Sequence, residues 1–441
     1  MKKLDKRWKI ILYGCSGLGL NMLNLIVGSY LCSALLVGGF DEHLSEWTYA
    51  SRDLVVAALW GTLILVMKIV DGIIDIPLAS FTDNLKTRWG RRRPAILMGY
   101  IPLLISYVLF LIPLTNSAST ANTVWFAVML GIFYCSYTLT MVTYYATFAE
   151  IVDNDKDRVL LSNIKSICDV VYFILGFALV PAFVSMGMNV RIIALIFLPL
   201  AVTMLIPLFT IKEPSTKDGV LQGEGVGRPA GFIESFVFAF KNKHFTYWLF
   251  ILAVMNFGLQ LFLSGINEFF SSTGINMTFV MASSFVPVPF TLILYNYIIR
   301  KKGFRFAFQY ILLVYSIGMS LMFFARMLPE AILLPAAIGC AIIVSFAIGA
   351  FFSVIYTIPS HLAAEENAKG NVCASSMYFA VQGLFEGVAA GLASGVVLVA
   401  LKQNGLIGYM TLIVAGACMT AFLMACFLPR SIAMLGKESK Q

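Results

Sequence analysis

The sequence predicts an all-α membrane protein whose twelve transmembrane helices form two six-helix bundles. Three observations carry that prediction. Hydrophobic residues make up 59% of the 441-residue chain and charged ones only 12%, and the mean hydropathy is +0.86, beyond the ordinary range of soluble domains. Apolar stretches long enough to cross a hydrocarbon layer of about 30 Å recur along nearly the whole length. One long hydrophilic connection stands at the middle and leaves six such stretches on either side.

The first stretch, residues 9–37, follows the charged opening Met1-Lys-Lys-Leu-Asp-Lys-Arg-Trp-Lys9. That opening is like the start of a signal peptide, but the apolar run behind it is too long and lacks a small-x-small cleavage site, so the helix is expected to be retained. Stretches 54–82, 94–115, 121–151, 160–186 and 190–211 complete a first bundle over residues 1–211. The connection 212–243 holds Glu213-Pro-Ser-Thr-Lys-Asp-Gly and Gly223-Glu-Gly-Val-Gly-Arg-Pro-Ala-Gly231. It is read as a flexible cytoplasmic linker ending in a short amphipathic piece near Phe232 to Phe240. Stretches 244–270, 277–299, 307–326, 332–358, 371–401 and 405–429 form the second bundle, over 244–430, before a cytoplasmic tail at 431–441.

Basic residues orient the chain. With both termini cytoplasmic, the external connections hold only Arg52, Arg191, Arg326 and Lys402, and Lys68 and Lys165 lie inside helices, which leaves the great majority of the 31 lysines and arginines on the inner side. This bias explains the net charge of +8 through anionic lipid heads rather than nucleic acid. A multi-pass protein of the cell membrane is expected, as a monomer. The eight cysteines fall in apolar segments at irregular spacing with no C-x-x-C, as small packing residues do.

The most informative segment is the second helix, Leu63-Ile-Leu-Val-Met-Lys68-Ile-Val-Asp71-Gly-Ile-Ile-Asp75-Ile-Pro77. Spacings of three and four residues stack Lys68, Asp71 and Asp75 on one side. Each such group costs about 2.5 to 3.5 kcal/mol at mid-bilayer, so the three must face a wet or protein-lined cavity. Two carboxylates at i and i+4 repel when both are ionised, and a shared cation or a retained proton relieves the repulsion. Ion-coupled transport is therefore the leading reading, with a purely structural Lys–Asp tie between helices as the plain alternative.

The same stretch continues through Asp83 to Arg88-Trp-Gly-Arg91-Arg92-Arg93-Pro94. It resembles the signature of the glycoside-pentoside-hexuronide:cation symporters, the melibiose-permease family within the major facilitators. The likeness extends to Tyr13-Gly14-x-x-Gly17, Tyr137-Thr138, Asp157-Arg158 and Gln382. It implies the major-facilitator fold, solute binding between the halves, alternating access, and a cation site of Asp71, Asp75 and Thr138 with Lys68 as its modulator. The loop arginines Arg88, Arg91, Arg92 and Arg93, with Asp83, are expected to clamp helix ends in one transport state or to contact lipid heads.

This chain also departs from the family's pattern. An amide often found before the second aspartate is Ile74 here; losing that oxygen ligand favours H+ over Na+ as the coupling ion. Acids that sugar-binding members carry in the first and fourth helices are replaced by Asn21 and Met141. Solute contacts are then expected from Asn21 and Asn24, from the rings of Tyr144 and Tyr145, and from Gln382. Lys165 either pairs with Asp169 four residues on or, if unpaired, favours an anionic solute such as a hexuronate. Glu268 and Glu386 are candidate gates or second proton groups, although Glu268 also fits the external interface.

Other classes are weaker. The histidines His43, His244 and His361 are dispersed, and no H-E-x-x-H, G-x-S-x-G or G-x-x-x-x-G-K-[ST] occurs, which argues against an enzyme or a built-in ATPase. No cofactor is implied. The sequence thus reads as a cation-coupled symporter of a small polar solute, a sugar, glycoside or hexuronide. A lysolipid or other amphiphile transporter of the same fold is the alternative, favoured by the missing sugar carboxylates.

Overall fold

The structure, a computed structural model, describes residues 7–83, 85–151, 155–216, 243–368 and 374–433. The amphipathic piece expected near Phe232 to Phe240 and the tail 434–441 lie outside them. Among the described residues there is no strand, and twelve helices are long and apolar enough to cross a membrane. We number them α1 (Arg7–Leu35), α2 (Ala57–Asp83), α3 (Arg92–Phe110), α4 (Thr120–Ala146), α5 (155–185), α6 (Val190–Thr210), α7 (Lys243–Thr273), α8 (Met277–Lys302), α9 (Phe304–Ala325), α10 (Glu330–Ala368), α11 (374–403) and α12 (Ile407–Ala425).

The chain divides into two compact units. One comprises Met1–Val37, His43–Leu63 and Ile73–Val226; the other comprises Gly38–Glu42, Ile64–Gly72 and Gly227–Gln441. The middle of α2 and a short segment after α1 therefore group with the C-terminal helices, a division finer than the simple halves read from the linker.

In the first unit polar side chains tie helices together by bonding backbone carbonyls, the interhelical glue available where lipid removes any hydrophobic drive. Tyr107 Oη donates to Ala194 O at 2.9 Å and Tyr100 Oη to Ala201 O at 3.1 Å, joining α3 to α6. Tyr30 Oη donates to Gly176 O at 2.8 Å, joining α1 to α5. Helix starts are capped: Ser119 accepts from the Asn122 N–H at 3.1 Å, and Asn189 from the Arg191 N–H at 2.9 Å. Short wide turns interrupt α1 at Val27–Leu31, where the Cys32 N–H reaches back five residues to Val27 O at 3.0 Å, and α5 at Leu175–Leu179.

The second unit repeats the device. Ser316 Oγ donates to Ala415 O at 2.9 Å between α9 and α12, Tyr247 Oη to Met424 O at 2.7 Å between α7 and α12, and Thr291 Oγ1 to Ser345 O at 3.0 Å between α8 and α10. The gap between the expected stretches 277–299 and 307–326 shrinks to a single residue. Gly303 sits at φ +89° and ends α8 with its N–H on Ile299 O, so Arg300, Lys301 and Lys302 close α8 and Arg305 opens α9. Helix α10 runs to Ala368, ten residues past the expected end.

Lys402, expected in an external connection, lies in the last turn of α11 with its side chain only 3% exposed. The apolar run stops at Leu401, but the helix continues to Gln403 and turns Lys402 inward.

Candidate functional site

Helix α2 is unbroken from Ala57 to Asp83 and carries Pro77 within it. Lys68, Asp71 and Asp75 are half-buried along it, and each is engaged by other groups. Backbone contact backs the segment holding Lys68 and Asp71. A Cβ added at Gly387 of α11 would lie 2.4 Å from Lys68 O, and one at Gly72 would lie 2.5 Å from Gly383 O. Only glycine at those positions lets the two backbones approach so closely. Thr138, on α4, is buried and engaged.

The expected solute residues separate into two groups. Asn21, Tyr145 and Lys165 come together with Tyr137 and Asp169. Lys165 Nζ lies 2.5 Å from Asp169 Oδ2; Asn21 Nδ2 donates to Asp169 Oδ1 at 3.3 Å; and Tyr137 Oη donates to Asn21 Oδ1 at 2.7 Å. Lys165 Nζ also stands 5.3 Å from the centre of the Tyr145 ring, a cation–π contact. Helices α1, α4 and α5 thus share one polar string inside the first unit. Asn24 is half-buried nearby in sequence on α1.

Tyr144 and Gln382 are placed differently from expectation. Tyr144 is 0% exposed, its hydroxyl donates to Tyr13 O at 2.6 Å, and its ring packs with those of Tyr13, Tyr145 and Phe148. It offers no open face for stacking, because successive residues on a helix point about 100° apart and only Tyr145 remains exposed. Gln382 is 2% exposed; it donates to Glu386 Oε1 at 2.8 Å and accepts from Trp248 Nε1 at 3.4 Å. Glu386 in turn accepts from Asn256 Nδ2 through its backbone oxygen at 3.0 Å.

Glu268 is wholly buried, with Lys402 Nζ at 2.8 Å from its Oε1 and its Oε2 without a hydrogen-bond partner among the described residues. Phe40 lies 4.9 Å beneath Lys402 Nζ, and Glu42 exchanges two backbone hydrogen bonds with the Ser271 hydroxyl, at 3.1 and 2.8 Å. The pair is sealed inside the protein near the ends of α7 and α11.

The arginine loop is stitched to the chain after α6. The Arg92 N–H donates to Glu213 Oε2 at 2.8 Å, the Thr216 N–H to Thr87 O at 3.0 Å, and the Thr87 N–H to Thr216 Oγ1 at 3.1 Å. Arg92 is buried, Arg91 and Arg93 are half-buried, and Arg88 is exposed. The Asp83 side chain lies outside the described part.

With that geometry in view, the likenesses to known proteins fall into place. The family described as MFS/sugar transport protein matches residues 12–433. The chain belongs to that family. Among its relatives are the glucuronide carrier protein homolog of Escherichia coli (strain K12), 28% identical over 29% of this chain and 28% of that protein, and the lactose permease of Lactobacillus helveticus, 27% identical over 27% of this chain and 19% of that protein. The match thus spans under a third of those relatives' own length. Among solved structures, the nucleoside transporter NupG superposes with a TM-score of 0.65 at 15% identity over 96% of this chain and 99% of that one, and the xylose transporter XylE from E. coli with a TM-score of 0.61 at 15% identity over 96% and 100%.

These likenesses agree with the resemblance to glycoside-pentoside-hexuronide symporters: the family match and the twelve apolar helices place the chain among the membrane proteins of the sugar-transport family, and the solved structures share its fold. Within that family frame, four residues missing from the sequence-derived site matter: Asp169, Tyr137, Lys402 and Glu213. The i,i+4 spacing signalled Asp169, though only as a partner for Lys165. The contacts of Tyr137 with Asn21 and of Glu213 with Arg92 join positions more than a hundred residues apart, which no local pattern displays.

Proposed function

We propose that the chain is a cation-coupled symporter of a small polar solute of the sugar or glycoside class, working by alternating access. The observation that carries the reading is the set of two carboxylates and one ammonium on the apolar helix α2. Such charges in a membrane interior are retained for ion or proton traffic. Asp71, Asp75 and Thr138 take the cation, and Lys68 holds one carboxylate ionised when the site is empty. Ile74 in place of an amide favours H+ over Na+. Cation binding cancels the repulsion between the two acids, and loaded and empty forms then prefer different states, which is what coupling requires. In this reading the carrier sits in the cell membrane as a monomer, with both termini cytoplasmic.

Purified protein in proteoliposomes provides the test, with proton and sodium gradients imposed separately and labelled glycosides outside. Accumulation is expected under a proton gradient. Asp75→Asn is expected to abolish accumulation, by more than tenfold, while sparing exchange of solute across the membrane. Undiminished accumulation by this variant would retire the cation site. A lysolipid remains the second reading, supported by Asn21 and Met141 where acids were expected; uptake of a fluorescent lysolipid without competition by any glycoside would favour it.

A further inference from the structure

The polar string in the first unit contains one acid that the cation scheme leaves unused. Asp169 Oδ2 faces Lys165 Nζ and Oδ1 accepts from Asn21. An ionised carboxylate offers about four acceptor positions, so these two contacts leave about half its capacity unspent. The side chain is 27% exposed and that of Lys165 is 29% exposed. That exposure is not to hydrocarbon. At about 100° per residue, Ile167 and Val171, which are 58% and 38% exposed, lie about 200° around α5 from Lys165 and Asp169 respectively. The apolar face of α5 is its lipid face, and the ion pair occupies the opposite one.

The neighbours fix what the acid presents. Tyr137 donates to Asn21 Oδ1, which sets the amide so that its Nδ2 donates to Asp169. A carboxylate at position 21 has no proton to give and would repel Asp169. The charge of Lys165 is answered by the acid beside it, and the Tyr145 ring, 36% exposed, lies next to the ammonium. A preset acceptor with unspent lone pairs, a lysine charge already answered by that acid and an adjoining aromatic face together fit a neutral polyhydroxylated ring.

We propose that Asp169, positioned by Asn21 and Tyr137, is the carboxylate that recognises the solute, and that the solute is a neutral glycoside whose adjacent hydroxyls donate to it while its ring lies on Tyr145. The inference rests on the sugar-symporter reading above and adds the recognising residue and the charge of the solute. Lys165, being paired, does not call for an anion.

The experiment uses the full chain in proteoliposomes under a proton gradient, with methyl glucoside, methyl xyloside, methyl glucuronide and the single-deoxy analogues of the preferred neutral sugar as probes. Neutral glycosides are expected to compete at least tenfold better than the glucuronide. One deoxy analogue is expected to lose about 10- to 100-fold in apparent affinity, as removal of a hydrogen bond to a charged group does. Asp169→Asn is expected to raise KM for the parent sugar by a similar factor, to leave KM for that analogue unchanged, and to keep proton coupling; Asp169→Glu is expected to restore part of the affinity. A merely structural role would not make the variant blind to one hydroxyl. Preference for the glucuronide, or equal KM values for wild type and Asp169→Asn with coupling intact, overturns this inference alone. Failure of every sugar to accumulate overturns the symporter reading and this inference with it. If Asp169→Asn does not fold, the deoxy series on the wild type decides: uniform loss across all hydroxyls, or none, counts against a single recognising acid.

Discussion

Two ion pairs of the same chemistry, one in each unit, sit in opposite physical circumstances. Lys165 and Asp169 share one turn of α5, stay more than a quarter exposed, and have Asn21 and Tyr137 as further polar support. Glu268 and Lys402 come from α7 and α11, 134 residues apart, and are 0% and 3% exposed. An open pair costs little to hold and can exchange partners. A sealed pair has already lost its water, and its attraction must repay that desolvation. The difference teaches that an ionisable residue within a membrane helix is not by itself a transport group; its solvent access decides which part it plays.

The largest expected effect comes from breaking the sealed pair. Lys402→Met strands the Glu268 carboxylate in a site where Oε2 already lacks a donor among the described residues. A loss of about 3–5 kcal/mol is expected, visible as a marked drop in the melting temperature of detergent-solubilised protein. The double variant Glu268→Gln/Lys402→Met removes both charges and is expected to recover most of that loss. If Lys402→Met alone melts like wild type, the pair is not a structural tie.

The open pair sharpens the contrast. Lys165→Met and Asp169→Asn are each expected to change stability by less than about 1 kcal/mol, as for ion pairs that water still reaches. Transport is where they are expected to differ from wild type. A melting loss as large as that of Lys402→Met would erase the distinction between the two regions.

Much of the fold was legible beforehand for a simple reason. Lipid forces each crossing to be long, apolar and helical, so the twelve runs stand out in the chain without any tertiary knowledge. Ends were less legible: Lys402 closes a helix whose hydrophobic run has already stopped, and the break between α8 and α9 is one glycine wide. At the site, the charges of α2 and the spacing of Lys165 and Asp169 could be read directly. The partners could not. Tyr144 and Tyr145 look equivalent in sequence, and only the contacts with the ring and carbonyl of Tyr13 assign Tyr144 to the interior. Asn21 looks like a lost acid until Asp169 is seen beside it.

A third comparison concerns close backbones rather than charges. An alanine at Gly387 would bring its methyl 2.4 Å from Lys68 O, and backbone cannot yield as a flexible side chain does. Gly387→Ala is expected to cost about 1–3 kcal/mol through overpacking and to disturb Lys68 and Asp71 by shifting the segment that bears them. The measurement is the proton dependence of uptake alongside melting temperature. Gly416→Ala, with open space around its added Cβ, is the matched control and is expected to change neither.

The smallest expected effect lies at the arginine loop, where the polar contacts are satisfied but lie near the surface. Thr216 Oγ1 donates to Leu85 O at 2.8 Å and accepts from the Thr87 N–H at 3.1 Å, so Thr216→Val removes two hydrogen bonds while keeping the side-chain shape. Each bond is worth about 0.5–1.5 kcal/mol when its groups cannot reach water, and less here because Thr87 and Leu85 remain partly exposed. A stability change of about 1 kcal/mol or less is expected, with faster proteolysis of the bond region around Arg88 as the more sensitive readout. If the loop works as a clamp, added solute and cation are expected to alter that cleavage rate in wild type and to alter it less in Thr216→Val. Equal rates in all four conditions would leave the arginines as lipid-facing charge alone.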